Sequence, residues 1–413
     1  MKGHLSDFYT RQLEKYQQQN AQLNTEIFWL GWARLGAFLG FSGGIYLFIR
    51  YSDQYLWLAL AVALFVLFLL LVKRHIRLFD EREAVRHLIK INENELAVLQ
   101  HQPSYLADGQ QFHSDESYLL DLDVFGKYSL FHALNRTATS LGAQRLTDLL
   151  KHPLQDVAVI KAQQSATAAL AEQHEFRQQF LAQGLRTQGY PPDYDRLLAW
   201  LAQPLTFYHA KFIRIIRIGL PILFVLALVF SIINRNFTPA ISLFVLNFFV
   251  AGRYGNQTSK IHAAISKNVE SLGALAKLLY LVNATDFRND TLQSLQNDTK
   301  QADQELKKLD RIARFFDQRL NVVVFVLLSG TILYDLQCVF WLETWKLRNQ
   351  DKLRRWLNAI GELEMLNSLA TWQFNHPAYA VPEVVDDVPF IDATALAHPL
   401  IPPDECVAND FRV

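Results

Sequence analysis

The side chains in this chain best suited to grip phosphate are Lys352, Arg354 and Arg355, in the run KLRRW. Cations this closely spaced can neutralise DNA backbone phosphates, the contact that supplies nearly all non-specific nucleic-acid affinity. The same spacing also suits the solvated face of a helix. Nucleotide binding needs a glycine-rich turn whose amides cradle phosphate and a lysine that reaches it, GxxxxGK[ST]. The only Gly-Lys pair, Gly126 and Lys127 in DVFGKYS, lacks the earlier glycine. No cofactor site, for ATP, Mg or anything else, is therefore expected within these residues.

Catalytic and metal chemistry find equally little support. The twelve histidines include no pair at metal spacing on one helix face, and the GxSxG spelled by Gly40 to Gly44 (GFSGG) lies inside the apolar run 27–49, not at a strand-to-helix elbow. Cys338 and Cys406, the two cysteines, have no CxxC companions, so neither a zinc module nor a disulfide framework is expected. VVDD (384–387), between Pro382 and Pro389, reads as a solvated loop, and Arg136 in ALNRT as a structural corner.

The elements that would position such residues are unusually apolar. Hydrophobic residues make up 51% of the chain and charged residues 19%, rich for a soluble protein, while Lys plus Arg balances Asp plus Glu at 40 each. That balance leaves no global field to recruit nucleic acid. Residues 27–49 and 55–72 are each long enough to cross a bilayer and make a hairpin. Residues 216–233 and the shorter 239–251 make a second. Lys73, Arg74 and Arg77, then Lys211, Arg214 and Arg217, then Arg253 and Lys260 flank these runs on one side. The positive-inside rule places that side in the cytoplasm and the protein in the inner membrane, multi-pass, with most of the chain inside. Gly36, Gly40 and Gly44 form a small-residue ridge suited to the hairpin's own second helix or to another copy.

A third apolar run, 321–345, would put Asp335 and Gln337 in hydrocarbon and reads as a buried core helix. Residues 289–320 read as one unbroken amphipathic helix whose leucine stripe is core, paired with 255–282 as an antiparallel arm. Ser140 is expected to cap a helix ended by Pro153, and Asp156 to open another running to about residue 182.

In order along the chain stand LDLD, SLFHALNRT, TSLGAQRLTDLLKHPL, VIKAQQSATAAL and, later, LNAIGELEMLNSLATWQF and IDATALAHPLIPPDECVANDFRV. This succession resembles the core and lever of the MutS family of DNA mismatch repair ATPases. The Thr-x-x-Gly start and Pro end of the third segment carry much of the likeness. Taken with the apolar runs, the resemblance implies a mainly α fold: the two transmembrane hairpins, a MutS-like core and lever, and the start of a β-containing ATPase domain at the C-terminus. Its implied division is an N-terminal helix (1–26), hairpin (27–72), linker helix (73–115), first half of the core (116–212), second hairpin (213–251), lever and second half of the core (252–376), and lead-in to the ATPase domain (377–413).

In the family, His-Pro and Asn-Asp-Phe phrases like those here precede the nucleotide-binding strand, so the ATPase, with its ATP and Mg, is expected beyond Val413. The family's active unit is a dimer, which implies a homodimer, with DNA and the membrane as further partners. Two departures stand out. A hairpin and linker helices replace the mismatch-reading and connector domains, and Phe79, Asp80 and Glu81 spell the family's Phe-x-Glu wedge only by chance. The second hairpin interrupts the lever near where the family's DNA clamp emerges. Two functions stay open: a membrane-anchored transmission module for an ATPase acting on DNA, and a membrane scaffold with no DNA role.

Overall fold

The computed structural model describes residues 2–51, 55–114, 116–186, 194–266, 269–385, 390–402 and 405–413. It is 79% helical, in keeping with the mainly α reading. Each apolar run of the first hairpin merges with its polar flank into one helix, α1 (Lys2–Arg50) and α2 (Tyr55–Leu99). An ideal Cβ on Gly44 would lie 3.1 Å from that of Ala61, and one on Gly40 2.9 Å from Leu64, so the ridge serves its own hairpin. Gly36 faces open space. Beyond the apolar section the pair continues as a stalk, where Arg82 reaches Asn24 and Tyr16, Leu23, Leu78 and Val85 are buried.

Short helices α3 (Ser117–Asp121) and α4 (Leu130–Leu134) lead into α5 (Ser140–Lys151). Its cap is Thr139, whose hydroxyl accepts from the Gly142 amide, one residue before the expected Ser140. Asp156 caps α6 (Val157–Glu172) as expected, but the helix breaks at Gln173 and resumes as α7 (His174–Leu185). Then come α8 (Tyr194–Ala202), α9 (Thr206–His209) and the second apolar pair, α10 (Lys211–Asn234) and α11 (Thr238–Ser266). α1, α2 and α10 are long and apolar enough to cross a membrane, and their most apolar windows are at most 11% buried. α11 is apolar only in its first half, through Ala251.

α12 (Val269–Ala284) packs antiparallel to α14 (Ala302–Asp317): Gly273 lies by Asp310, and Lys307 sits over Tyr280. The expected single helix over 289–320 is two, because α13 (Asp290–Asp298) ends before Gln301, which adopts φ 66°. Its stripe is core: Leu292, Leu306, Leu309 and Phe316 are at most 1% exposed.

The run 321–345 divides as well. Asn321 caps α15 (Val322–Ile332), and Leu333, at φ 53°, turns the chain into α16 (Tyr334–Asn375). The expected buried helix holds only for the second part, where Tyr334, Leu336, Cys338, Val339 and Leu342 are fully buried. In α15, Val322 is 73% and Val323 67% exposed. Asp335 is buried and paired with Arg319 at 3.0 Å, and Gln337 accepts from Arg217 at 2.8 Å.

At 42 residues, α16 extends about 63 Å and gives the body its axis. Past it, β1 (Asp392–Leu396) pairs antiparallel with β2 (Asn409–Arg412) in a two-stranded ribbon. Phe411 on it, and Val407 and Val413 flanking β2, remain exposed. Val384 and Val385 lie in an irregular segment; Asp386 and Asp387, the acidic half of the expected loop, fall outside the described residues.

Candidate functional site

The polar architecture concentrates where α16 meets the core and the stalk. Glu364 is 2% exposed and accepts from the Ala138 amide (3.3 Å), the Thr139 amide (3.2 Å) and the Thr139 hydroxyl (2.6 Å). A carboxylate here meets the positive end of α5 and satisfies donors that a helix start leaves without intrahelical partners. Burial pushes the Glu364 carboxyl up to about 7, against the lowering effect of bonds from Thr139, Ala138 and Gly142. The motif's glycine is explained by the same contact. A Cβ on Gly142 would sit 2.0 Å from a Glu364 carboxylate oxygen, so no other residue fits without displacing it.

One turn upstream, Arg136 is 3% exposed and bidentate to Glu95 of α2, with its Nε 2.5 Å and Nη2 3.1 Å from the carboxylate. Asn375, near the end of α16, donates to Glu95 at 2.7 Å and accepts from the Tyr9 hydroxyl of α1 at 2.6 Å. Burial alone would lower the Arg136 pKa; the adjacent Glu95 carboxylate outweighs it and the net direction is up. The corner expected at Arg136 is thus a four-residue lock joining stalk, core and long helix. Glu95 was discoverable: with Leu88 and Ile91 it falls on one buried face of α2, a carboxylate in an apolar stripe.

α16 repeats the capping device nearer the second hairpin. Glu343 accepts from the amides of Thr206 (3.0 Å), Phe207 (3.0 Å) and Tyr208 (2.6 Å), and Lys346 donates to the carbonyls of Trp200 and Gln203.

Lys352, Arg354 and Arg355 are all exposed on α16, flanking buried Leu353 and Trp356. No ion pair among the described residues engages them. Arg355 lines a groove of about 850 Å³ between α5, α13 and α16, together with Arg145, Asp148, Asp298 and Glu362. The two arginines there face three carboxylates, and Arg145 is tied to Glu362 at 2.5 Å. Lys352 and Arg354 do not line it. Phe79, Asp80 and Glu81 lie on the stalk, where Asp80 pairs with Arg186 at 2.8 Å and Lys277 at 2.7 Å. Burial raises the Asp80 pKa, the two cations outweigh it, and the net direction is down. Asp80 is thereby a structural tie.

The profile of MutS domain III matches residues 119–370, from α3 through most of α16. The chain belongs to the MutS domain III family. This relates it to the DNA-repair MutS proteins, and the apolar pair α10–α11 falls inside the matched region. No curated protein and no solved structure matches the chain. The Thr139-Gly142 turn, Arg136 and Glu364 fall inside the matched residues, whereas Tyr9, Glu95 and Asn375 join them from outside.

Proposed function

We propose that this protein is a membrane-anchored MutS-like module whose core and lever couple an ATP-hydrolysing domain, with its ATP and Mg, to DNA held near the inner membrane. The observation that carries the reading is the apolar pair α10–α11 set within the MutS domain III match, together with a stalk locked onto the same body by Glu95 and Arg136. A membrane origin for α1, α2 and α10 accounts for their exposed apolar surface, because exposed patches of this extent otherwise drive association. In this reading a homodimer, as the family resemblance implies, brings two such levers together. Lys352, Arg354 and Arg355 supply the phosphate contacts.

A second reading, a membrane scaffold without a DNA role, is favoured by one observation: the groove beside Arg355 carries more carboxylates than cations. Binding of duplex and branched DNA to the protein in nanodiscs, measured across salt concentrations, separates the two. Phosphate contacts give an affinity that falls steeply with salt. Replacing Lys352, Arg354 and Arg355 together by alanine then reduces the log–log slope by about 2–3. Absence of binding at low salt rejects the DNA reading and leaves the scaffold.

A further inference from the structure

α15 is an apolar helix in an unexpected place. Residues 320–333, LNVVVFVLLSGTIL, contain no charge. Leu320, Val322, Val323 and Leu327 are between 54% and 73% exposed. The helix turns by 110° from the segment before it. Its neighbour is the apolar half of α11: Phe325 meets Phe248 with ring centroids 6.3 Å apart, and a Cβ on Gly330 would lie 2.3 Å from the Phe244 ring. α15 therefore packs alongside α11's apolar section, where Val245 and Phe249 are also exposed.

Length and connections decide how it sits there. Eleven residues extend about 16 Å, roughly half the hydrocarbon thickness of a bilayer. Both flanks return to the helical body, α14 onto α12 and α16 into the core, so the chain enters and leaves on one side. Hydrocarbon tolerates no unpaired backbone, and the last carbonyls of a helix lack intrahelical partners. Here Asn247, fully buried on α11, donates its side-chain amide to the Gly330 carbonyl at 3.0 Å and the Thr331 carbonyl at 3.4 Å. The Thr331 hydroxyl turns back to the Leu327 carbonyl at 2.7 Å. At the base, where the chain leaves α14 and starts α16, Arg319 and Asp335 neutralise each other, and Thr258 of α11 donates to the same carboxylate.

We propose that α15 is a re-entrant membrane helix: it dips into the cytoplasmic leaflet beside α10–α11, presents Val322, Val323 and Leu327 to lipid acyl chains, and returns. The inference rests on the reading that α10–α11 lies in a bilayer. It adds a lipid-contacting element that joins α14 directly to α16, so bilayer packing bears on the long helix itself.

The test uses the full chain carrying C338A and C406S, with one cysteine placed by V323C or L327C and labelled with bimane. L67C, on the exposed apolar side of α2, and K161C, on the exposed side of α6, are the references. Each is reconstituted into phosphatidylethanolamine–phosphatidylglycerol vesicles with brominated acyl chains and challenged separately with iodide in the buffer. The expected result is loss of fluorescence at Val323 and Leu327 to brominated lipid, matching Leu67, with iodide quenching only Lys161. Quenching of both α15 positions by iodide, with Leu67 still quenched by lipid, overturns the re-entrant helix and leaves the hairpins in the bilayer. Protection from both quenchers also overturns it and assigns the face to a second copy. Failure of Leu67 itself to respond to brominated lipid overturns the proposal together with the membrane reading beneath it.

Discussion

Hairpin α1–α2 is held by ties spread along its stalk, from Asp80 to Glu95, whereas α10–α11 is held at its base. From Val72 to Glu95, where Arg136 closes the lock, α2 runs roughly 35 Å without a break. From Ala251 to Thr258, which reaches Asp335, α11 runs about 10 Å. The first hairpin continues as a long stalk tied to the body at Asp80 and again at Glu95, and the second stands where α14, α15 and α16 meet. Two segments of similar apolarity thus differ in how they are mounted, because one continues its helix into the body and the other stands beside helix breaks at Asn321 and Leu333.

The sharpest way to break this contrast is at Arg136. Arg136→Ala strands Glu95 as an unpaired buried carboxylate and is expected to cost about 3–5 kcal/mol. Chemical denaturation in detergent reads the loss, and hydrogen exchange should show stalk and core loosening together. Arg319→Ala is expected to speed exchange around residues 317–335 while leaving Tyr9, Glu95 and Asn375 protected; exchange spreading into the stalk would erase the difference between the joints.

A smaller effect is expected at the turn that follows the Arg136 lock. Gly142→Ala forces a methyl against Glu364 and should cost about 1–3 kcal/mol by overpacking. The same carboxylate makes a pH signature. Its folded pKa of about 7 lies above the unfolded value, so the folded state binds the extra proton and stability falls as pH rises from about 4.5 to about 7. Subtracting the Glu364→Gln profile from that of the parent should isolate this slope; equal slopes in the two proteins would remove Glu364 as its source. Least of all should Arg145→Ala matter. The pair with Glu362 is half exposed on the arginine side, and losing it should change stability by less than about 1 kcal/mol.

Much of the architecture was legible in the residues. Uninterrupted apolar length marks α1, α2 and α10, since crossing a bilayer demands it. The Thr-x-x-Gly start of α5 was legible too, although the cap proved to be Thr139, because its hydroxyl and not that of Ser140 points back at the Gly142 amide. The breaks at Gln173, Gln301 and Leu333 were not, since none carries the proline or glycine that announces a helix end. Asn321 is the exception: an amide residue ahead of a valine run is a cap signal, and its side chain accepts from Val323 and Val324.

The residues alone carried most of the helical stretches, the runs apolar enough for lipid, and the MutS likeness that the match over 119–370 bears out. Those properties depend on local composition and order along the chain. Only the tertiary structure decided that Glu95 of the stalk meets Arg136 of the core, that Glu364 needs the space at Gly142, and that half of the third apolar run lies open beside α11. Each joins residues tens to hundreds of positions apart, where a carboxylate's partner is set by how helices cross and not by what stands next to it.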